Sequence, residues 1–402
     1  MGDVLFLAHR VPYPPDRGDK IRSFHLLKHL AERHRVHLVA FGDGPGDLGH
    51  EAALARHAAT VTVVRRSKSQ AMAAAQALLS GKPVSLTAFD NAELKAAVDG
   101  VLGREAIDAV FVFSGQMAQH VPAGAPPLVM DFVDMDSAKF AGYADKARGP
   151  MAWMMAREAR LLMAQEAQVA AQAHASLFVS AAEAQLFEQE TGAARVHVVE
   201  NGIDTLFFAP DASFERPGLG PASIVFTGQM DYRPNVEGVA WFAQAVLPRI
   251  RAGRPDAEFV IVGRNPSDVV RALGRATGVR VIGEVADVRG WLADADVVVA
   301  PLLLARGIQN KVLEGMAMAR PVVASAQAAE GIDHGGAINV TTDAQAMAAA
   351  VLRLLGEPED AAALGERARR QVIARYGWAA AMRKLDAVMA PLFEATSQRS
   401  AA

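Results

Sequence analysis

The densest chemistry in the sequence lies between Ala300 and Ser325. It reads Ala300-Pro301-Leu302, then Arg306-Gly307-Ile308-Gln309-Asn310-Lys311-Val312-Leu313-Glu314-Gly315-Met316-Ala317, then Arg320-Pro321-Val322-Val323-Ala324-Ser325. An apolar run ends at Pro301 and a loop carrying Arg306 and Gly307 follows. A helix is expected to begin near Ile308 or Gln309, and the next strand at Pro321. The start of such a helix leaves backbone N–H groups without internal partners and presents the positive end of the helix dipole, which together attract an anion. Arg306 and Lys311 add side-chain charge beside it. Glu314 falls about one turn beyond Gln309 and Asn310, where a carboxylate can accept hydrogen bonds from vicinal hydroxyls such as those of a ribose. Phosphate at the helix tip and ribose one turn in describe a nucleoside diphosphate. The alternative is a surface helix whose Lys311 and Glu314 form an i,i+3 pair.

Two further groups of residues could meet a substrate. Pro12-Tyr13-Pro14-Pro15-Asp16-Arg17-Gly18 is a loop, and Lys20-Ile21-Arg22-Ser23-Phe24-His25 opens a helix. There Gly18 permits close backbone approach, Asp19 can cap the helix and Lys20 adds charge; a proline-rich connector with solvated cations is the competing reading. The loop is not a G-x-G-x-x-G fingerprint, which counts against a dehydrogenase. Asp131, Asp134 and Asp136 follow a strand closely enough to crowd carboxylates, raise a pKa and supply an acceptor-side base. Asp134 is the substrate contact favoured, against simple turn capping. Gly228 follows a strand in the second half, where its backbone can approach phosphate. Arg233 and Arg264, just after strand ends, can reach the diphosphate or simply be solvated. No metal is invoked, and no zinc site is expected among the histidines.

The elements that must position these residues alternate regularly. Short β-branched runs are separated by longer helical segments, the signature of βα units in parallel sheets. Strands are expected at Asp3–Ala8, Val36–Phe41, Thr60–Arg65, Ala109–Phe113, Leu128–Phe132 and Ser176–Val179, then at Ser223–Thr227, Glu258–Val262, Val279–Ile282, Val297–Ala300, Pro321–Ala324 and Ala337–Val340. Several are continuous apolar runs, as where helices cover both sheet faces. At 402 residues, two domains are the default. The join lies near Asn201–Ala222, with Asn201 reading as a hinge turn, giving an N-terminal domain over 1–205, a C-terminal domain over 206–375 and a final helical segment over 376–402. Doubly wound domains bind ligands at the carboxyl ends of their strands.

Composition bounds the rest. Hydrophobic residues make up 51% and charged residues 21%, which fits a globular enzyme. The formal charge of -3 gives no reason to expect nucleic acid as the main partner. With no cysteine there is neither a disulfide nor a thiolate site, which suits a reducing compartment. The apolar run Val4–Ala8 is too short to cross a bilayer, and a cytoplasmic protein is expected. Trp153-Met154-Met155 and Leu161-Leu162-Met163 lie among Arg148, Arg157 and Arg160. They read either as a membrane-docking stripe or, more commonly, as a buried helix face.

The Arg306–Glu314 stretch resembles the nucleotide-binding motif of retaining glycosyltransferase family 4, whose members have the GT-B fold. Phe226 through Asn235, Val262-Gly263, Val281 through Asp287 and Glu200 through Asp204 fall in that family's order. More narrowly, Arg17 through Arg22, Asp131 through Ser137 and Arg306 through Glu314 are similar to sugar transferases of exosortase (PEP-CTERM) exopolysaccharide systems. The resemblance implies two Rossmann-like α/β domains facing across a cleft, with the final segment crossing back to the first. It also implies transfer, with retention, from a nucleoside diphosphate sugar to a glycan or lipid-linked acceptor, with association at the inner membrane as a further expectation; that no metal is required is read from the helix start before Gln309. It places Glu314 on the ribose, Val285 along the base, and the Gly18 loop beside the diphosphate and acceptor. The family's first motif glutamate falls at Arg306, so that residue's donor-sugar role does not carry over; an arginine there can pair with phosphate. Lys311, Arg306 and Asp134 are the expected catalytic residues, with Gly18, Lys20, Gly228, Arg233, Arg264, Val285, Gln309, Asn310 and Glu314 on the substrate. The rival readings are a nucleotide-sugar 2-epimerase of the same fold, and a non-catalytic scaffold suggested by the replaced glutamate.

Overall fold

The computed structural model describes residues 2–15, 17–305 and 308–400, the side chains of 45 and 395–400 excepted. The chain divides into two units, Met1–Asn201 with Ala381–Ala402, and Gly202–Ala380.

The first unit holds β1 (Asp3–Ala8), β2 (Arg35–Gly42), β3 (Thr60–Arg65), β4 (Ile107–Phe113), β5 (Leu128–Val133), β6 (Ala175–Phe178) and β7 (Val196–Val198). They form one parallel sheet in the order β3-β2-β1-β4-β5-β6-β7. Val4 to Ala8 and Val110 to Val112 are wholly buried, which is why these strands read as unbroken apolar runs. β7 is an addition to the expected strands. Its Val-His-Val is short, and its central histidine faces solvent, so no apolar run marks it.

The second unit holds β8 (Ser223–Thr227), β9 (Glu258–Val262), β10 (Val279–Gly283), β11 (Val297–Ala300), β12 (Val322–Ser325) and β13 (Asn339–Thr341), ordered β10-β9-β8-β11-β12-β13 and again all parallel. β12 begins one residue later than expected, because Pro321 has no N–H for the ladder; its carbonyl still accepts from Val298 N at 3.0 Å. In each sheet the winding reverses once, between β1 and β4 and between β8 and β11. Such reversals leave a crevice at the carboxyl ends of the strands.

Helix Gly18–Ala31 follows β1. It starts two residues before the expected opening at Lys20, and Asp19 does not cap it: Arg17 holds the N-cap position, with no side-chain cap bond. Asp19 is instead engaged by Arg10 and, at 3.4 Å, by His9. Deeper in the same helix Arg22 is 1% exposed and grips the fully buried Asp131 of β5 with two bonds of 2.8 and 3.1 Å. A third bond, of 3.0 Å, runs from Arg22 to Asn201.

Candidate nucleotide site

Three strands of the second unit end the same way. β8 runs into Gly228, β9 into Gly263, and β10 finishes on Gly283. Gly228 N donates to Val262 O at 3.1 Å and Gly263 N to Gly283 O at 2.8 Å, so the strand ends are tied together. A Cβ on Gly263 would stand 1.6 Å from Gly228 O, so no other residue fits without moving the backbone. This leaves a floor of main chain at the β8–β11 reversal. Over it lies a cavity of about 620 Å³, lined by residues 227–229, 262–264, 284 and 285, and by Ile308 through Lys311 and Glu314 on the far side.

The far wall is helix Asn310–Ala317, with Gln309 at its N-cap. The start is one or two residues later than the sequence suggests. Val312, Leu313, Met316 and Ala317 are buried against the unit's core, and Gly315 packs on Val298 and Val322. That phase turns Lys311 and Glu314 together toward the cavity, since residues three apart share a face.

Neither charge is satisfied from within. The Lys311 ammonium sits 5.5 Å from the centre of the Phe226 ring, and its one hydrogen bond is a long 3.4 Å contact with Gln309. Burial pushes its pKa down, with Glu314 pulling it back up. The Glu314 carboxyl makes no hydrogen bond to another described residue. Burial raises its carboxyl from 4.5 to about 7, with Lys311 working against the rise. No ion pair within 4.0 Å joins the two among the described residues, which disposes of the surface-pair alternative. Two more polar atoms of the lining lack partners: Thr227 Oγ1 and Asn235 Oδ1, on side chains 4% and 3% exposed. A weakly held buried cation, a carboxyl and two unpartnered neutral groups lining one cavity make it a candidate site for a polar ligand.

Gly228, Arg264, Val285, Gln309, Asn310, Lys311 and Glu314 are thus brought together. Arg264 also donates to Gln229 at 3.2 Å. The expectation for Arg233 is not met. It lies on the exposed first turn of helix Arg233–Trp241, pairs with Glu237 at 2.7 Å, and is absent from the lining. Lys20 is likewise not free for a phosphate: it is 4% exposed and its ammonium is held by Asp47 at 3.0 Å. Gly18 opens its helix with nothing within 4 Å of a would-be Cβ. Arg306, with Gly307, lies outside the described residues. Asp134 is exposed beside a water-sized hollow of about 10 Å³ that it shares with Asp136, Gln116 and Glu166. In that hollow Glu166, bonded by Ser137, is raised by burial to about 7. Asp131, by contrast, is spent on Arg22.

Two metal-like spacings that the sequence reading takes to be absent, a D-x-D in the second half and an H-x3-H pair, are in fact present. Asp294-Ala295-Asp296 is a D-x-D in the second half, but its carboxylates accept from the backbone of Gly218 (2.7 Å) and Ser223 (2.9 Å), at the amino end of β8 and away from the cavity. His25 and His29 share an H-x3-H spacing, yet His29 is bonded to Asp386 at 2.7 Å. Among the described residues, one trio, Asp3, His37 and Glu105, brings three possible ligand atoms within 4.8 Å. Arg35 already bridges its two carboxylates, at 3.0 and 3.5 Å. No described helix is long and apolar enough to cross a membrane.

With the cavity and its wall in place, comparison with known proteins bears on one part of the chain. The model of the family described as "Glycosyl transferases group 1" matches residues 221–357, which contain the whole cavity. Over these residues the chain is similar to that family. The phosphatidyl-myo-inositol mannosyltransferase of Mycolicibacterium smegmatis is 33% identical over 190 residues, 45% of this chain and 48% of that protein. The chain spans about half the length of the curated relatives it matches. Among solved structures, Anabaena HepE in complex with UDP is 16% identical and superposes with a TM-score of 0.61, over 97% of this chain and all of that one. Sucrose-phosphate synthase from Thermosynechococcus elongatus is 17% identical, with a TM-score of 0.64 over 98% of this chain and all of that one. These likenesses establish the GT-B fold of two Rossmann-like units.

The matched stretch therefore holds every residue of the cavity. Two signals in its sequence were quoted above without a role of their own for Gly263 and Asn235: a glycine at the end of three successive strands, and an Asn two residues into the helix after β8. The first marks Gly263 and the second marks Asn235, both part of the site.

Proposed function

We propose that this protein is a metal-independent glycosyltransferase. In this reading it moves a sugar from a nucleoside diphosphate donor to a glycan or lipid-linked hydroxyl in exopolysaccharide assembly, with retention, on the cytoplasmic side. The observation that carries the reading is the unsatisfied Lys311 and Glu314 facing one cavity across a glycine-lined floor. The mannosyltransferase relative and the UDP-bound HepE fold support the donor class; the Arg17–Arg22 and Asp131–Ser137 motifs support the exopolysaccharide setting.

In the reaction the bond from the anomeric carbon to the diphosphate oxygen breaks and a bond to the acceptor oxygen forms. Negative charge grows on the departing diphosphate, where Lys311 and the N-terminus of helix Asn310–Ala317 meet it. The acceptor proton leaves with the diphosphate, so no strong protein base is needed. Asp134, exposed in the first unit, remains the acceptor-side contact of this proposal.

Binding of UDP and GDP, measured by calorimetry with and without chelator, tests the donor class. One of them is expected to bind equally well in both conditions; loss of binding on chelation overturns the metal-free reading. Incubation with nucleotide sugars then separates the rivals: isomerised donor without transfer identifies an epimerase, and no turnover with any acceptor pool identifies a scaffold.

The raised Glu314 gives a pH test with a definite sign. In the free protein the carboxyl holds its proton up to about pH 7. A carboxylate accepting two hydroxyls prefers to be ionised, so binding should release a proton below pH 7, and affinity should rise as pH increases from 6 to 8. Glu314→Gln should flatten this dependence and cost about 1–3 kcal/mol of nucleotide binding. Calorimetry in buffers of different ionisation heat reads both, and a pH-independent wild-type affinity would remove Glu314 from the ribose.

A further inference from the structure

The first unit exposes large apolar side chains in one neighbourhood. Helix Gln70–Ser80 ends with Leu78 and Leu79, 63% and 91% exposed. Helix Pro150–Gln172 begins with Met151, Trp153 and Met154, of which Trp153 is 62% exposed. The membrane-or-core alternative for this second stripe therefore divides: Leu162 is in the core, whereas Trp153 and Met154 are not.

The two helix ends are fastened together. The Arg157 guanidinium donates to Ala77 O at 2.9 Å and to Lys82 O at 3.3 Å. Glu158, 4% exposed, accepts from Val84 N and Ser85 N, both at 2.8 Å, and from the Ser85 hydroxyl at 2.7 Å. Trp153 stands one turn before Arg157 on the same helical face, and so beside the Leu78–Leu79 end. The apolar residues sit on a rigid platform rather than a loose loop.

Their charged surroundings are predominantly basic. The exposed Lys82 follows the end of the first helix, and the chain from Arg65 to Lys82 contains no acidic residue, although Arg66 is paired with Asp43 and Lys68 is bonded to the Thr87 and Asp90 carbonyls. Around the second helix start stand the exposed Lys146, Arg148 and Arg160, with Asp145 the exposed acid among them, while the Glu158 carboxylate is turned inward. An exposed tryptophan and leucines inside a field of Lys and Arg match an anionic lipid surface: apolar tips enter the headgroup boundary and cations meet lipid phosphate. A protein partner would more commonly be met by a larger apolar area with fewer unpaired cations.

We propose that Leu78, Leu79, Met151, Trp153 and Met154, ringed by Lys82, Lys146 and Arg148, form a docking surface for an anionic bilayer. The surface is independent of the nucleotide cavity, and its test needs no glycosyl transfer. In flotation assays the full chain is expected to partition onto vesicles of phosphatidylglycerol and phosphatidylcholine, weakly onto pure phosphatidylcholine, and less as salt rises. L79E/W153E and K82E/R148E should each lower partition roughly tenfold or more, since each near-surface cation alone is worth about fivefold. Thermal melting and UDP affinity, unchanged in both variants, would exclude misfolding. No partition of the wild type onto anionic vesicles overturns the proposal, as does full partition by L79E/W153E. A lipid-free dimer that L79E/W153E converts to monomer overturns it too, and assigns the surface to a second copy of the chain.

Discussion

Lys311→Ala is expected to lower turnover roughly a hundredfold or more while donor affinity falls much less. The ammonium is held by one long contact to Gln309 and by the Phe226 ring, in a cavity where burial already disfavours its charge. A bound diphosphate supplies the missing counter-charge. The negative charge on the leaving oxygen is greater in the transition state than in the intact donor, so the interaction strengthens along the reaction. Removing it therefore weighs on turnover more than on binding. Steady-state kinetics on the wild type and variant, with donor affinity measured separately, reads the two effects apart. Equal losses in both would make Lys311 a binding residue only, and undiminished turnover would remove it from the chemistry. The substitution is also expected to leave thermal stability unchanged or slightly higher, because it deletes a buried cation whose one hydrogen bond is long.

The second large effect is structural. Asp131→Ala should destabilise the protein by about 3–5 kcal/mol, as expected when one member of a buried ion pair is removed. Arg22, 1% exposed, would keep its charge and lose two bonds, leaving the Asn201 side chain as its partner. For a unit of this size that corresponds to a fall in melting temperature of roughly 6–20 °C. Replacing both residues with apolar side chains of similar volume, R22M/D131L, should recover much of the loss, because no charge is then left buried. Melting curves of the single and double variants decide the matter. An Asp131→Ala protein that melts with the wild type would mean that Arg22 finds another counter-ion.

Asp131 also shows where reading the residues in order runs out. In sequence it belongs with Asp134 and Asp136, three carboxylates after one strand. In the structure its side chain turns inward to an arginine 109 positions away, while Asp134 stays outside. The alternation of a strand separates such neighbours onto different faces, but it cannot say which face holds a distant cation. Lys20 followed the same course: the charge expected on a ligand belongs to Asp47, on a separate short helix. Arg233 failed for a local reason, since the first turn of its helix points it at solvent and at Glu237.

The sequence by itself determined the strands and the wall of the site. Short apolar and β-branched runs separated by helical segments mark parallel strands, so β1, β3, β8, β9 and β11 were legible to the residue. The buried phase of Val312, Leu313 and Met316 likewise fixes Lys311 and Glu314 on a common face, because helical geometry is local. Tertiary structure alone decided which charges are left without partners. Lys311 and Glu314 face strand ends finished in glycine, which offer main chain and no side-chain partner; a Cβ on Gly263 would stand 1.6 Å from Gly228 O. Arg22, Lys20 and Asp131 are neutralised by residues that only the sheet order brings near. A side chain's chemistry is written in its type, but its availability depends on partners far away in the chain, and those are set by packing.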